Sequence, residues 1–238
     1  MKLISAQGLV KNFHGRPVIK GIDFDIEQGE VLALIGPNGV GKSTAIAMIL
    51  GILPPDDGSI AYWRPDYRSF VGAQLQSTPF FEGYSAAENL KLFGALYHTR
   101  LSREQIQEKL ESCHLADAGK TPAIKLSLGQ QKRLAIGVTI VHHPELVVLD
   151  EPTAGLDPRA RYEIKEMIQT MAQNSQTVLF SSHDMDEVEQ IADRLIFMND
   201  GRIVDAGKPE TLMAKHGVGN LEALYLKLTP SQFKGGLQ

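Results

Sequence analysis

Hydrophobic and polar positions along the chain form short apolar runs that alternate with amphipathic segments. The apolar runs, each bounded by polar or glycine residues, are 31–35, 146–149, 178–180 and 195–198. Such continuous runs are typical of strands buried on both faces of a parallel sheet. Residues 23–27 instead alternate apolar and charged side chains, which predicts a half-buried antiparallel strand.

Helices are predicted between these strands. Their expected starts are Lys42, Ser102, Asp157 and Asp184, and a last helix follows residues 217–220. Serine and aspartate are strong N-caps, and the proline after Asp157 suits a first helical position. Strand–helix alternation predicts an α/β fold with a parallel sheet. Residues 80–142 lack a strand pattern and are predicted to form an inserted helical subdomain.

Composition excludes several classes of protein. The 238 residues are 43% hydrophobic and 22% charged, so the chain is globular and not disordered. A net charge of −4 offers no basic surface for nucleic acid, and we expect no nucleic-acid partner. The single cysteine, Cys113, points to a reducing compartment. The most apolar run, 45–53, is too short to cross a membrane, so we expect none of the chain to span one.

One segment carries a phosphate-binding motif. It follows the strand 31–35 and matches G-x-x-x-x-G-K-[ST], with Gly36, Pro37, Asn38, Gly39, Val40, Gly41, Lys42, Ser43 and Thr44. Glycines let successive backbone N–H groups point at phosphate oxygens, and the helix that follows adds its positive end. Lys42 is expected at the β- and γ-phosphates, Ser43 on Mg²⁺ and Thr44 near the α-phosphate. A ligand-free glycine turn is the weaker alternative.

Two carboxylates follow the apolar run 146–149. Asp150, at the strand's carboxyl end, is a candidate ligand of Mg²⁺ through water, and Glu151 is a candidate base for the attacking water. Parallel sheets bind ligands at the carboxyl ends of their strands, where the phosphate motif also lies. The alternative is a polar strand end that enters a turn at Pro152.

Residues 126–130, Leu-Ser-Leu-Gly-Gln, resemble the signature LSGGQ of ATP-binding cassette (ABC) nucleotide-binding domains. The resemblance extends over about residues 2–228. It implies a P-loop NTPase (RecA-like) parallel-sheet core with an N-terminal antiparallel β subdomain and an inserted α-helical subdomain. The implied single ABC ATPase domain has its core at 1–79 and 143–219, the helical signature subdomain at 80–142, and a C-terminal helix and tail at 220–238.

The resemblance also implies roles for single residues. Phe13 would stack on adenine, and His183 would contact the γ-phosphate. Gln76 would sense Mg²⁺ and the γ-phosphate, although Gln74 lies only two residues away. Asp157 belongs to a loop that crosses between subunits, with an N-cap as the alternative role. The pair His142–His143 is expected to be capping or exposed, and not metal-binding.

In this family two chains sandwich two ATP molecules. Ser127, Gly129 and Gln130 would therefore close over the γ-phosphate held by a second ABC chain, either a copy of this one or a paralogue. Leu128 departs from the family because it replaces the first signature glycine. Strain at a positive φ, or crowding of the phosphate, would then weaken closure without abolishing it.

The C-terminal segment 221–229 resembles that of bacterial ABC-2-type exporter ATPases. This implies an ATPase that powers export through separate transmembrane permease subunits, and a cytoplasmic location on the inner face of the membrane. An importer ATPase and a soluble, non-transport ABC ATPase are the alternatives. Phe80, Phe81 and Tyr84 are candidates for an apolar groove that receives a permease helix, with core packing as the other possibility.

Overall fold

The computed structural model describes residues 1–77 and 80–229. The strands are β1 Lys2–Phe13, β2 Arg16–Glu27, β3 Val31–Ile35, β4 Asp57–Tyr62, β5 Val71–Gln74, β6 Leu146–Asp150, β7 Thr177–Ser182, β8 Arg194–Asn199 and β9 Arg202–Gly207. The helices are α1 Lys42–Ile49, α2 Ala86–Leu96, α3 Arg103–Ser112, α4 Leu128–Thr139, α5 Pro158–Gln173, α6 Met185–Ile191, α7 Pro209–His216 and α8 Leu221–Leu228. The chain divides into two compact units. The first contains Met1–Pro65 and the chain from Leu179 onward, and the second is Asp66–Val178.

The first unit contains an antiparallel sheet with the strand order β2-β1-β4. Strands β1 and β2 form a hairpin in which Phe13 pairs with Arg16. The two loop residues, His14 and Gly15, both have positive φ, 48° and 78°. Such loops match the right-handed twist of the paired strands.

A second sheet in the first unit positions the phosphate motif. Strand β3 is buried at every residue and pairs in parallel with β8, while β9 pairs with β8 in antiparallel fashion. Strand β7 lies on the other side of β3. Complete burial explains why β3 reads as an uninterrupted apolar run.

The second unit combines a parallel strand pair with helices. Strand β5 pairs with β6 from Val71 opposite Leu146 to Gln74 opposite Leu149. Helices α2, α3 and α4 begin with complete capping boxes at Ser85, Ser102 and Ser127. As predicted, the described part of residues 80–142 consists of helices and loops, with a single isolated bridge between Ser85 and Pro122.

The lone cysteine sits in the helical core of the second unit. Cys113 is 1% exposed, and a Cβ placed on Gly137 of α4 would lie only 2.6 Å from its Sγ atom. Burial raises the pKa of the Cys113 thiol to about 11, so the group stays protonated at neutral pH.

Most predicted elements match the structure, and several further strands were missed. The helices expected at Lys42, Ser102, Asp157, Asp184 and after residue 220 are all present. Strands β1, β4, β5 and β9 were not predicted from the hydrophobic pattern. The residues of β4 and β9 are mostly exposed or half-buried, β5 is only four residues long, and the register shifts in β1 interrupt its alternation. No helix among the described residues has the length and apolarity that a bilayer crossing requires.

Candidate functional site

The loop between β3 and α1 has a backbone shape that excludes side chains at two glycines. A Cβ on Gly36 would lie 2.3 Å from the carbonyl oxygen of Met198, and one on Gly41 would lie 2.6 Å from Cδ1 of Ile19. Gly41 also has a φ of 109°, which side-chain-bearing residues rarely adopt. The sequence motif therefore corresponds to a real steric requirement of this loop.

Lys42 folds back over the same loop. Its side chain is buried, and its ammonium group donates to the carbonyl oxygens of Gly36 at 2.8 Å and Pro37 at 3.2 Å. These acceptors are neutral, so a phosphate oxygen would form stronger, charge-assisted hydrogen bonds with the same ammonium. Asn38, Gly39 and Ser43 are exposed around it. The loop thus has the form of an anion-binding cradle.

Helix α1 begins at this cradle without a side-chain cap. Its N-cap is Gly41, and its first turn contains no acidic residue. The first N–H groups of a helix have no partner within the helix and carry partial positive charge. Nothing negative on the helix opposes an incoming anion, and a phosphate satisfies both features.

Two further predicted site residues belong to the first unit. Phe13 ends β1 with 41% of its surface exposed, and the Lys11 ammonium lies 6.0 Å from its ring centroid. His183 is exposed directly after β7. It lines a cavity of about 360 Å³ together with Glu222 and Tyr225 of α8. Both side chains are accessible, as a nucleotide contact requires.

In the second unit, three predicted residues lie at one edge of the β5–β6 pair. Asp150 is the last residue of β6 and is 2% exposed, and Glu151 follows it. Gln76 comes two residues after β5, at the carboxyl edge that parallel pairing with β6 defines. Gln74 is fully buried within β5, whereas Gln76 is exposed. Of the two glutamines, only Gln76 is accessible to a ligand.

The turn after β6 holds Glu151 in an unusual backbone conformation. Glu151 has a φ of 53°, in the left-handed region that few residues other than glycine adopt. Its carbonyl oxygen accepts a hydrogen bond from the N–H of Ala154 at 3.3 Å, which closes the turn. The sequence gives no sign of this strain, which a functional site commonly stores.

The signature segment forms the capped start of α4. Ser127 is the N-cap, and its Oγ accepts from the N–H of Gln130 at 3.3 Å. The Gln130 side chain in turn accepts from the N–H of Ser127 at 2.9 Å. A Cβ on Gly129 would lie 2.7 Å from the Cβ of Ala160 in α5. Gly129 is therefore required for the close approach of α4 and α5.

Leu128 is not strained, and that part of the expectation is wrong. It is the first residue of α4, has no positive φ and is 51% exposed. Its side chain lies beside Gly155, within 3.9 Å of where a Cβ would stand there. A leucine fits the start of a helix without cost to the backbone. Crowding of a bound phosphate remains a prediction.

Asp157 caps α5, as the alternative reading of that residue predicted. Its carboxylate accepts from the N–H of Ala160 at 3.0 Å. This backbone hydrogen bond is the main reason that the pKa of Asp157 is lowered. A role in crossing between subunits stays a prediction.

The two adjacent histidines have different surroundings. The ring of His142 stacks on Tyr97 with centroids 3.8 Å apart, and burial lowers the pKa of its imidazole. His143 is exposed. The prediction that both are capping or exposed therefore missed the stacking of His142. The described residues contain no group of three or more acidic, histidine or cysteine side chains arranged for a metal ion.

The residues predicted to hold Mg²⁺ offer the right kind of donor. The cation takes hard oxygen ligands and keeps several waters, so it needs few protein groups. Ser43 presents a hydroxyl in the first turn of α1, and Asp150 and Gln76 present oxygens at the carboxyl edge of β5 and β6. The chemistry of this donor set fits the ion.

Comparison with known proteins identifies the family to which the chain belongs. A family model described as ABC transporter matches residues 19–154, more than half of the chain. The chain therefore belongs to the ABC transporter family. A solved structure described as the ATP-binding subunit of an ABC transporter superposes with a TM-score of 0.84 at 26% identity, covering 95% of this chain and 99% of that one. The predicted P-loop NTPase fold with an antiparallel N-terminal sheet is thereby confirmed.

Two curated relatives are similar over most of the chain. The Nod factor export ATP-binding protein I of Sinorhizobium fredii is 34% identical over 88% of this chain, which spans 64% of that protein's length. A lantibiotic transport ATP-binding protein of Streptococcus pyogenes is 34% identical over 85% of this chain and 89% of its own length.

Proposed function

We propose that the chain is the ATP-binding and ATP-hydrolysing subunit of an ABC exporter. The observation that carries the proposal is the loop between β3 and α1, where two glycines exclude side chains, Lys42 covers the loop and the helix start is uncapped. Such a loop fits the triphosphate of ATP. Phe13, exposed at the end of β1, supplies an aromatic face for the adenine ring.

In the proposed reaction, water attacks the γ-phosphorus of ATP. Glu151 orients that water and accepts its proton, while Lys42 and His183 donate hydrogen bonds to the γ-phosphate oxygens. Ser43, Asp150 and Gln76 would hold Mg²⁺, which would neutralise phosphate charge. The products are ADP and phosphate.

A second ABC chain completes each site in this proposal. Ser127, Gly129 and Gln130 face the γ-phosphate held by that chain, and Asp157 lies in the loop that crosses the dimer. In the free chain Ser127 and Gln130 bond each other, so contact with the partner's γ-phosphate would replace these hydrogen bonds. Loss of the γ-phosphate then removes the shared ligand and releases the pair.

The surface around Phe81 suits docking on a permease. Phe81 and Tyr84 are 46% and 49% exposed, and their rings meet edge to face at 6.0 Å. Buried Asn89 fixes this loop, because its side chain bonds both the N–H and the carbonyl of Phe81 and the carbonyl of Tyr84. An apolar surface held this rigidly fits a helix of a permease subunit, at the inner face of the membrane.

Export is the favoured direction because one curated relative described above is named for Nod factor export and the other for lantibiotic transport, and the C-terminal segment resembles exporter ATPases. Co-purification with a membrane protein separates the transporter subunit from a soluble ABC ATPase. Vesicles that contain the complex and accumulate substrate only when ATP is outside would establish export. ATP-driven loss of preloaded substrate would establish import.

The first experiment measures the solution mass of E151Q with and without Mg-ATP. Removal of the base leaves ATP bound and uncleaved, so we expect the mass to double when Mg-ATP is added. A monomer with ATP bound would point to a missing partner chain or to a closure defect at Leu128, and adding L128G to E151Q would decide between the two. Failure of the wild type to bind ATP would overturn the proposed function.

A further inference from the structure

Two neighbouring basic side chains of α4, Lys132 and Arg133, are both buried, at 9% and 6% exposure. A buried cation is costly unless it is paired or hydrogen-bonded. The contacts of the two side chains differ. The two residues therefore have different roles in α4, which begins at the signature segment and is called the signature helix below.

Arg133 holds α4 to the neighbouring helices. Its guanidinium pairs with Glu163 of α5, and its Nε donates to the carbonyl of Cys113 at 3.1 Å, where α3 ends. These contacts account for the buried charge and need no nucleotide. Arg133 is thus part of the helical framework.

Lys132 instead reaches the turn that carries the candidate base. Its Nζ lies 3.4 Å from the carbonyl oxygen of Glu151. Burial lowers the pKa of Lys132, while the nearby carboxylates of Asp150 and Glu151 raise it. The two carboxylates thus favour the charged form of Lys132 electrostatically.

The carbonyl oxygen of Glu151 accepts hydrogen bonds from two donors. One donor is the N–H of Ala154 within the turn, and the other is the Lys132 ammonium. A carbonyl oxygen has two lone pairs, so both contacts can exist together. Glu151 has a φ of 53°, which is unfavourable for a non-glycine residue. Contacts that hold this backbone conformation also fix the direction of the Cα–Cβ bond from which the carboxylate extends.

We propose that Lys132 is a positioning residue for Glu151 and links the signature helix to the catalytic turn of the same chain. The inference rests on the proposed ATPase function. Ser127 and Lys132 lie five residues apart at the start of one helix, about 7.5 Å along its axis. Movement of Ser127 onto a partner's nucleotide carries the ammonium with it. Closure at one ATP site thereby sets the base of the other.

The test compares steady-state ATP hydrolysis by the full chain and its variants K132M and K132R. The matched control is K91M, on the exposed surface of α2. Each rate is divided by the fraction of protein that binds ATP, so that unfolded material does not count. We expect K132M to lower kcat by about 10- to 100-fold, the range for a displaced catalytic group, and to leave KM for ATP within about twofold. K132R should recover most of kcat, and K91M should match the wild type.

A second background isolates the effect on Glu151. When K132M is added to E151Q, the residual rate should not fall further, because residues that act as one unit are not additive. The proposal is overturned if K132M keeps the wild-type kcat, if K132R is no better than K132M, or if K132M lowers the E151Q rate as strongly as the wild-type rate. A wild type that binds Mg-ATP without hydrolysing it would instead overturn the proposed function, and the role of Lys132 with it.

Discussion

Helices α1 and α4 both begin at a proposed phosphate contact, and they begin in opposite ways. The N-cap of α1 is Gly41, which has no side chain to cap the helix. The N-cap of α4 is Ser127, which forms a complete capping box with Gln130. A bound ligand can cap the start of α1, whereas the start of α4 is already capped by its own side chains. In the proposed mechanism, ATP binding at α1 would therefore need no rearrangement of caps, whereas closure at α4 would.

The largest expected effect tests the steric requirement at the start of α1. G41A places a Cβ 2.6 Å from Ile19, whereas no described atom lies within 4 Å of the corresponding position on Gly39. Both glycines have positive φ, so each alanine costs about 1–2 kcal/mol in backbone strain. We expect calorimetric titration to show an ATP affinity loss of about tenfold for G39A and a far larger loss for G41A. Equal losses would show that steric exclusion does not shape the loop.

The next prediction separates capping from phosphate contact at α4. Ser102 and Ser127 form the same type of box, each with a glutamine three residues on. S102A and S127A should each lower the free energy of unfolding by about 1 kcal/mol in urea titrations. Only S127A should also lower ATP hydrolysis, by about 100-fold, as expected for a lost donor to the reacting phosphate. If S102A lost as much hydrolysis as S127A, the role of Ser127 would be that of a helix cap alone.

Replacement of Leu128 should have a smaller effect, and it should raise the rate of ATP hydrolysis. Because its backbone is unstrained, L128G relieves no strain but removes an exposed side chain from the proposed closing surface. The cost of a glycine in a helix is matched by the control. We expect hydrolysis to rise about two- to fivefold, equivalent to less than about 1 kcal/mol. The control is L96G at the end of α2, where a leucine of similar exposure lies outside the proposed site. A rate that does not rise would contradict crowding by Leu128.

The smallest effect concerns pH and the cap of α5. The pKa of Asp157 is lowered in the folded chain, so the folded state binds this proton less tightly than the unfolded state. The contribution of Asp157 to stability is therefore present above its unfolded pKa, near 3.8, and is lost as pH falls through the folded value. D157N keeps a capping side chain that does not titrate. The variant should lose less stability than the wild type when urea titrations are repeated from pH 5 to pH 3.

The difference between α1 and α4 also explains what sequence alone could predict. Gly36, Gly41 and Lys42 lie within seven residues, and their spacing encodes the loop locally. Asp150 was predictable as well, because it ends an apolar run. The tie between Lys132 and Glu151 joins residues 19 positions apart, and the Gly129–Ala160 approach joins two helices. Neither leaves a local pattern, because each depends on how the helices pack.

Exposure separates two residues that the sequence leaves close together. Gln76 and Gln74 could not be separated by residue type, but only Gln76 emerges from β5. The left-handed backbone of Glu151 had no sequence signal at all, since glycine is the residue that normally marks such a position.

The burial of Cys113 makes the wild-type chain a ready background for site-directed labelling. Its thiol is inaccessible, with Gly137 leaving it no spare room, and it is the only cysteine in the sequence. A cysteine introduced at an exposed position such as Leu128 or Phe81 would react alone with a fluorophore or a spin label. Distances between such labels can then report dimer closure and permease docking in real time, without first removing the native thiol.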